Sequence, residues 1–150
     1  MDKHVVALVA EIPPGGRKLV NAGGRAIVVF NLAGEFFALS NRCPHRGGSL
    51  CHGRLTGLVE SSEPGHYRYS RRGEIIRCPW HSWEFDIRTG KSHCDPQRLR
   101  VRNYAVSVEP GTKVVDGPYV AQTFPVSVEN DYVVVHVASS GQTGRSHDSP

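Results

Sequence analysis

The sequence predicts a mainly β fold, arranged as a small barrel or sandwich, and three observations support this fold class. Short runs rich in β-branched and aromatic residues recur along the chain and are bounded by turn-forming residues. Glycine (16) and proline (10) are frequent, as expected of a chain with many tight turns. No window shows the apolar period of about 3.6 residues that is typical of an amphipathic helix.

The strand signals group into three hairpins and one further strand. The predicted hairpins are 25–31 with 35–39, 83–87 with the residues from 91 onward, and 126–128 with 131–137. The further strand, 104–108, alternates between apolar and polar residues. We expect it to end at 109–111, where glutamate, proline and glycine favour a turn.

Length and charge limit the classes of protein that fit. The 150 residues suit a single domain, which we expect to span 1–137, followed by a flexible polar tail, 138–150. A hydrophobic content of 39% excludes wholesale disorder. The net charge of +4 permits an acidic protein partner or nucleic acid and requires neither.

The N-terminal region carries no secretion signal that we recognise. The apolar run Val5–Ala10 ends at Glu11 and is shorter than the apolar region of a signal peptide. The other apolar runs are far shorter than a membrane span. We therefore expect a cytoplasmic protein without a membrane partner, and in that compartment cysteines more often hold metal than each other.

Two stretches pair a cysteine with a histidine inside a proline-containing turn. They are Cys43-Pro44-His45 and Cys78-Pro79-Trp80-His81. Two thiolates and two imidazoles satisfy either tetrahedral zinc or an iron–sulfur centre. The other two cysteines, Cys51 and Cys94, match no ligand position and are interpreted as ordinary thiols.

These stretches resemble the C-x-H and C-x-x-H motifs of Rieske proteins, and the similarity continues through 78–90 and 99–108. The resemblance covers about 4–137. It implies a Rieske-like fold of small antiparallel sheets, with a cluster-binding part at about 41–95. It also implies one [2Fe–2S] cluster, with Cys43 and Cys78 on one iron and His45 and His81 on the other.

The function that the resemblance implies is that of a soluble ferredoxin. Such a protein carries single electrons from a reductase to a terminal, ring-hydroxylating type of oxygenase, and both partners would dock near His45 and His81. The polar tail after Val137 leaves no room for the catalytic domain of an oxygenase, so we expect an electron carrier that is not an enzyme by itself. Nucleic acid is not an expected partner. Two alternatives remain: a small Rieske subunit of another oxidoreductase complex, similar to nitrite reductase, and a Cys₂His₂ zinc module.

Departures from the family pattern refine these expectations. Gly48 and Trp80 stand where respiratory Rieske proteins have a disulfide, and Trp83 and Phe85 stand where those proteins place hydroxyl groups against the cluster. Fewer donors to the sulfurs stabilise the reduced cluster less, so we predict a midpoint potential at the low end of the Rieske range, about −150 mV.

The stretch between His45 and Cys78 has 32 residues, roughly twice the usual length. We expect the surplus, about 58–74, to form an extended exposed loop or hairpin tip. A basic surface near the ligands is predicted to steer an acidic partner. Its members are Arg42, Arg46, Arg54 and Arg77.

Overall fold

The computed structural model describes residues 2–43, 49–63, 65–79, 83–92, 100–119 and 126–138; for 58–63, 66–72 and 116 it describes the backbone only. The chain divides into two compact units. The first combines Met1–Ala38 with Tyr104–Pro150, and the second is Leu39–Asn103. The predicted tail, 138–150, lies outside the described residues apart from Ala138. The predicted domain boundaries stay predictions.

Strands dominate the described part of the chain, which confirms the predicted mainly β fold. The strands are β1 Asp2–Leu8, β2 Arg17–Ala22, β3 Arg25–Leu32, β4 Glu35–Ser40, β5 Arg54–Glu63, β6 His66–Arg77, β7 Glu84–Asp86, β8 Asn103–Pro110 and β9 Asp131–Val137. The helical elements are α1 Gly111–Asp116 and two 3₁₀ turns, Val9–Glu11 and Leu50–His52.

The first unit is built on a six-stranded sheet in the order β1-β9-β8-β4-β3-β2. Its β1–β9, β9–β8 and β2–β3 pairs are antiparallel. The two ends of this order, β1 and β2, also contact each other, so the sheet is nearly closed. A core of small aliphatic side chains fills one face, with Ile27, Val29, Val133 and Val135 all buried.

β9 is covered on both of its faces. Val133 and Val135 point into the main core, whereas Tyr132 and Val134 pack with Val5 and with Val114 of α1. A strand covered on both faces reads as a continuous apolar run rather than as an alternating one. This explains the uninterrupted run of apolar residues in β9.

The predicted third hairpin, 126–128 with 131–137, is wrong in its first strand. Residues 126–128 form no strand, and β9 pairs with β1 and β8 instead. α1 was also not predicted, because six residues are too few to show a helical period. Gly111 begins this helix, and a Cβ there would collide with the carbonyl oxygen of Ser127. The helix therefore starts at a residue that only glycine can occupy without a backbone shift.

The other two predicted hairpins are present. β3 and β4 are neighbours joined by Ala33 and Gly34, which both have positive φ angles (53° and 96°), as in the tight turns that connect twisted strands. The second hairpin is short. β7 has three residues, and within the described part of its returning chain, up to Ser92, the pairing with β7 is an isolated bridge between Phe85 and Ser92.

The second unit contains a three-stranded sheet in the order β5-β6-β7. Ile75 and Ile76 on β6 and Phe85 on β7 are buried in it. The register shifts where Gly57 on β5 faces the longer stretch 71–74 on β6, which is a bulge. Beyond this bulge, the described pairings join β5 and β6 only to each other. The surplus segment 58–74, expected as a loop or hairpin tip, is thus mostly a two-stranded extension of the hairpin.

Candidate metal centre

The topology of the second unit places Cys78 at one end of its sheet, beside the chain that leaves the first cysteine–histidine motif. Arg54, Arg77 and Glu84 are register partners at the start of β5, the end of β6 and the start of β7. Cys78 directly follows β6. Gly53, just before β5, lies so close to the carbonyl of Arg77 that a Cβ would collide with it. The chain that leaves the first cysteine–histidine motif therefore touches the chain that enters the second.

The first ligand segment, residues 43–48, is closed by pairing of the residues on either side of it. Arg42 and Ser49 form an isolated antiparallel bridge. The Asn41 side-chain amide donates from Nδ2 to Ser49 Oγ (2.9 Å), and Asn41 Oδ1 accepts the backbone N–H of Cys51 (2.7 Å). Cys43, at the start of the segment, is fully buried (0% exposed). His45 lies outside the described residues.

The second ligand segment, residues 78–83, is closed by the β6–β7 ladder. Arg77 pairs with Glu84 in register, and the Arg77 guanidinium donates to Glu84 Oε2 from Nη2 (2.9 Å) and from Nε (3.3 Å). Inside this pair, the backbone N–H of Cys78 donates to the carbonyl of Trp83 (2.7 Å). Cys78 is buried (1% exposed), and His81 lies outside the described residues.

The chemistry of the described cysteines fits a thiolate-bound metal centre. Cys43 and Cys78 form no disulfide, and both are buried. Thiolates are the soft ligands that iron–sulfur clusters and zinc prefer. Within the described ranges no group of three or more metal-binding side chains comes together, and the two predicted histidine ligands are outside those ranges.

Cys51, interpreted from the sequence as an ordinary thiol, is free and half-buried in the 3₁₀ turn that follows the first ligand segment. Cys94 lies outside the described residues. Asn41 and Glu84, which close the two segments, were not predicted from the sequence. Their only sequence signal is a position just outside each motif, and nothing in the local sequence shows which residue each one binds.

The class of protein follows from a match between this chain and a family model. Residues 2–105 match the model described as Rieske [2Fe-2S] domain, which is more than half of the chain. The protein belongs to the Rieske [2Fe–2S] domain family. The predicted family membership and the single [2Fe–2S] cluster are therefore confirmed, and cysteine with histidine is the ligand chemistry of such clusters.

Within the Rieske family, the chain is similar to individual proteins that are named as ferredoxins. The chain is similar to the 3-phenylpropionate/cinnamic acid dioxygenase ferredoxin subunit of Escherichia coli (strain K12), with 29% identity over 118 residues, which cover 79% of this chain and 96% of that protein. Among solved structures it is similar to the Sphingomonas yanoikuyae B1 ferredoxin, with 29% identity and a TM-score of 0.54 over 72% of this chain and 91% of the other.

A third similarity concerns the fold alone. A chain in the complex of reduced oxygenase and oxidized ferredoxin in carbazole 1,9a-dioxygenase is 21% identical, with a TM-score of 0.56 over 87% of this chain and 91% of that chain. Together these relatives confirm a Rieske-type fold and the role of an electron carrier rather than of a catalyst. In the described part of the chain, no helix has the length and apolar character needed to cross a bilayer.

Proposed function

We propose that the protein carries single electrons from a reductase to the terminal oxygenase of a ring-hydroxylating type of system. The observation that carries this proposal is the placement of two buried cysteines, each starting a ligand segment, in a chain of the Rieske family. The similarity to a dioxygenase ferredoxin subunit, which extends over almost the whole length of that protein, supports the choice of partner.

The ligand set that we propose is Cys43 and Cys78 on one iron and His45 and His81 on the other. When bound, a [2Fe–2S] cluster with these ligands supplies a reversible one-electron change between Fe(III) and Fe(II). The buried thiols of Cys43 and Cys78 would bind as thiolates and keep their iron away from water. The two imidazoles would bind as neutral ligands and add no negative charge, which favours acceptance of an electron.

Partner docking near His45 and His81 is part of this proposal. Arg42 directly precedes the first ligand segment, and Arg54 begins β5 a few residues after it. Both arginines are exposed. Arg77 differs, because its charge is offset by the ion pair with Glu84. Arg42 and Arg54 are therefore the described residues best suited to attract an acidic surface on a redox partner. Arg46 lies outside the described residues.

We also propose that the protein works in the cytoplasm. The described cysteines, Cys43, Cys51 and Cys78, form no disulfide. Reducing compartments keep thiols in this state, and buried cysteines there serve metal binding more often than cross-linking. Fractionation of cells that express the full chain tests this location, and recovery in the membrane or secreted fraction would contradict it.

The decisive experiment is analysis of the purified protein for iron and its redox chemistry. We expect a red-brown protein with two iron and two sulfide per chain that partly bleaches with dithionite. His81→Ala should abolish or alter the visible spectrum, whereas His52→Ala, a control at an exposed histidine of the same unit, should leave it unchanged. A colourless protein that holds one zinc would overturn the proposal. A midpoint potential well above zero would contradict the predicted low value of about −150 mV.

The choice of partner is tested separately by reconstitution. The iron-loaded protein is mixed with the purified reductase and oxygenase of its own host, and substrate hydroxylation is followed with and without it. We expect turnover to require this protein. Turnover that is unchanged without it would leave the cluster intact and overturn the proposed partner.

A further inference from the structure

Asn41 makes three short hydrogen bonds that join the two sides of the first ligand segment. Its side-chain amide donates to Ser49 Oγ (2.9 Å) and accepts from the backbone N–H of Cys51 (2.7 Å), and its carbonyl accepts the backbone N–H of Leu50 (2.8 Å). Asn41 precedes Cys43 by two residues, and its three partners follow the segment directly. One residue therefore ties the chain that enters the segment to the chain that leaves it.

Little else that the structure describes closes this segment. The pairing of Arg42 with Ser49 is an isolated bridge outside any strand. A hydrogen bond from the Arg42 backbone to Ser40 Oγ is long, at 3.4 Å, and lies on the entering side only. Because two ends held at a fixed separation restrict the positions that a short segment can reach, the bonds of Asn41 restrict where Cys43 can lie.

The side-chain amide of Asn41 is well suited to link the two sides of the first ligand segment. It offers an acceptor and a donor on one rigid plane, and the site uses both at once. Alanine would remove both bonds and leave the backbone N–H of Cys51 without this acceptor, which costs free energy where the group is shielded from water. Aspartate would keep the acceptor, and the Ser49 hydroxyl can turn to donate to its second oxygen.

We propose that Asn41 is a positioning residue for the cluster: by closing the first ligand segment it holds Cys43 in the geometry that retains the iron and sets its electronic environment. Ligands have to be held to within a fraction of an ångström for such a site to keep its properties. This inference rests on the proposed ligand set. Asn41 touches no iron in this scheme and acts through the chain that carries the ligands.

Asn31 provides a matched control in the first unit. It is buried (4% exposed), donates from Nδ2 to the carbonyl of Ile12 (2.8 Å), and accepts the backbone N–H of Gly34 at Oδ1 (2.7 Å). Like Asn41, it uses its side-chain amide once as donor and once as acceptor, at nearly the same distances, although its donor bond goes to a backbone carbonyl and that of Asn41 goes to a hydroxyl. Substitution of Asn31 therefore measures what the loss of an amide clamp does to stability without touching a ligand segment.

The experiment compares Asn41→Ala, Asn41→Asp and Asn31→Ala in the iron-loaded full chain. The readouts are the rate of iron loss to a chelator, the EPR g-values of the reduced protein and the midpoint potential. For Asn41→Ala we expect iron loss to be about tenfold faster, since two hydrogen bonds disappear, together with altered g-values and a shifted midpoint. Asn41→Asp should restore the g-values, whereas its added negative charge should lower the midpoint.

Asn31→Ala should lower the melting temperature and leave the g-values and midpoint unchanged. The inference is overturned if Asn41→Ala keeps all three readouts at the wild-type values, or if Asn31→Ala alters the g-values equally. If Asn41→Ala does not fold, Ser49→Ala removes only one of the bonds and has to change the same readouts in the same direction. A wild-type protein without iron would instead overturn the proposed ligand set, so the two failures are distinguishable.

Discussion

The two ligand segments are equal in length and alike in sequence position, yet they are closed by different interactions. Each one, 43–48 and 78–83, starts with a buried cysteine that directly follows a paired arginine. The first is closed by the neutral side chain of Asn41 beside an isolated bridge. The second continues a β-ladder and carries the ion pair between Arg77 and Glu84.

This difference shows that one site can be built on two kinds of support. The two ends of the second ligand segment are held by the sheet, because β6 and β7 are paired up to Arg77 and Glu84 on either side of it. The first depends on a few side-chain bonds of one residue. Neutral hydrogen bonds respond little to salt, whereas an exposed ion pair is screened by it. Substitutions can therefore show whether the two closures behave as differently as their chemistry suggests.

The largest expected effect tests whether the two segments are equally necessary. Cys43→Ser and Cys78→Ser should each reduce the iron content to almost none, because each removes a thiolate from the proposed ligand set. Iron and sulfide analysis of the purified variants measures this. Cys51→Ser, at a free cysteine outside both segments, is the control and should retain the iron. Retention of iron by Cys43→Ser alone would show that the first segment does not provide a ligand.

The next effect concerns the ion pair at the second ligand segment. Glu84→Gln should lower the free energy of unfolding by about 0.5–1 kcal/mol at low salt, because the two side chains are partly exposed (41% and 25%) and water screens them. The melting temperature should fall by about 2 °C.

The dependence of stability on salt distinguishes the ion pair of Glu84 from the neutral hydrogen bonds of Asn41. The deficit of Glu84→Gln should shrink at high ionic strength, whereas the deficit of Asn41→Ala should stay constant. Thermal unfolding of both variants at low and high salt is the measurement. Equal responses to salt would mean that the difference in chemistry has no consequence for stability.

A smaller effect is expected on association with a redox partner. Arg42→Gln removes an exposed charge beside the first ligand segment and should slow association roughly threefold at low ionic strength, since two unit charges about 7 Å apart in water interact by about 0.6 kcal/mol. The double variant Arg77→Gln with Glu84→Gln removes a neutral pair and should leave the rate unchanged. Stopped-flow kinetics with the oxygenase measures both rates, and an effect of the double variant equal to that of Arg42→Gln would argue against steering.

The smallest expected effect is a loss of stability in acid that comes from Glu109, a residue outside both ligand segments. In the first unit, a hydrogen bond from the Ser107 hydroxyl lowers the pKa of Glu109 below its usual 4.5, against the opposing effect of burial, and the nearby Lys113 lowers it further. A pKa that is lower in the folded state adds stability that is present above the unfolded value and is lost as the pH falls through the folded value.

Glu109→Gln removes this contribution. The difference in melting temperature between wild type and variant should therefore be largest above the usual carboxyl pKa and should disappear in stronger acid. Thermal unfolding between about pH 6 and about pH 3 provides the test. A difference that grows as the pH falls would contradict the lowered pKa.

Elements held by neighbouring residues were predictable from the sequence, and elements held by distant ones were not. The β3–β4 hairpin follows from its turn, because Gly34 and Ala33 set the local backbone. β9 was recognised as a strand but was given the wrong partner. Its true partners, β1 and β8, are distant or separated from it by a helix, and the sequence offers no local signal for that pairing.

For the site, the sequence alone indicated the chemistry: the two cysteine–histidine motifs offer ligands that suit zinc or an iron–sulfur centre, because ligand preference depends on the side chains themselves, and their resemblance to the Rieske motifs implied the cluster. The tertiary structure decided the arrangement. It placed Gly53 against Arg77, put Cys78 at one end of the β5-β6-β7 sheet, and gave Asn41 and Glu84 their closing roles. Such contacts depend on which apolar surfaces bury each other across long stretches of chain, and no short window of sequence contains that information.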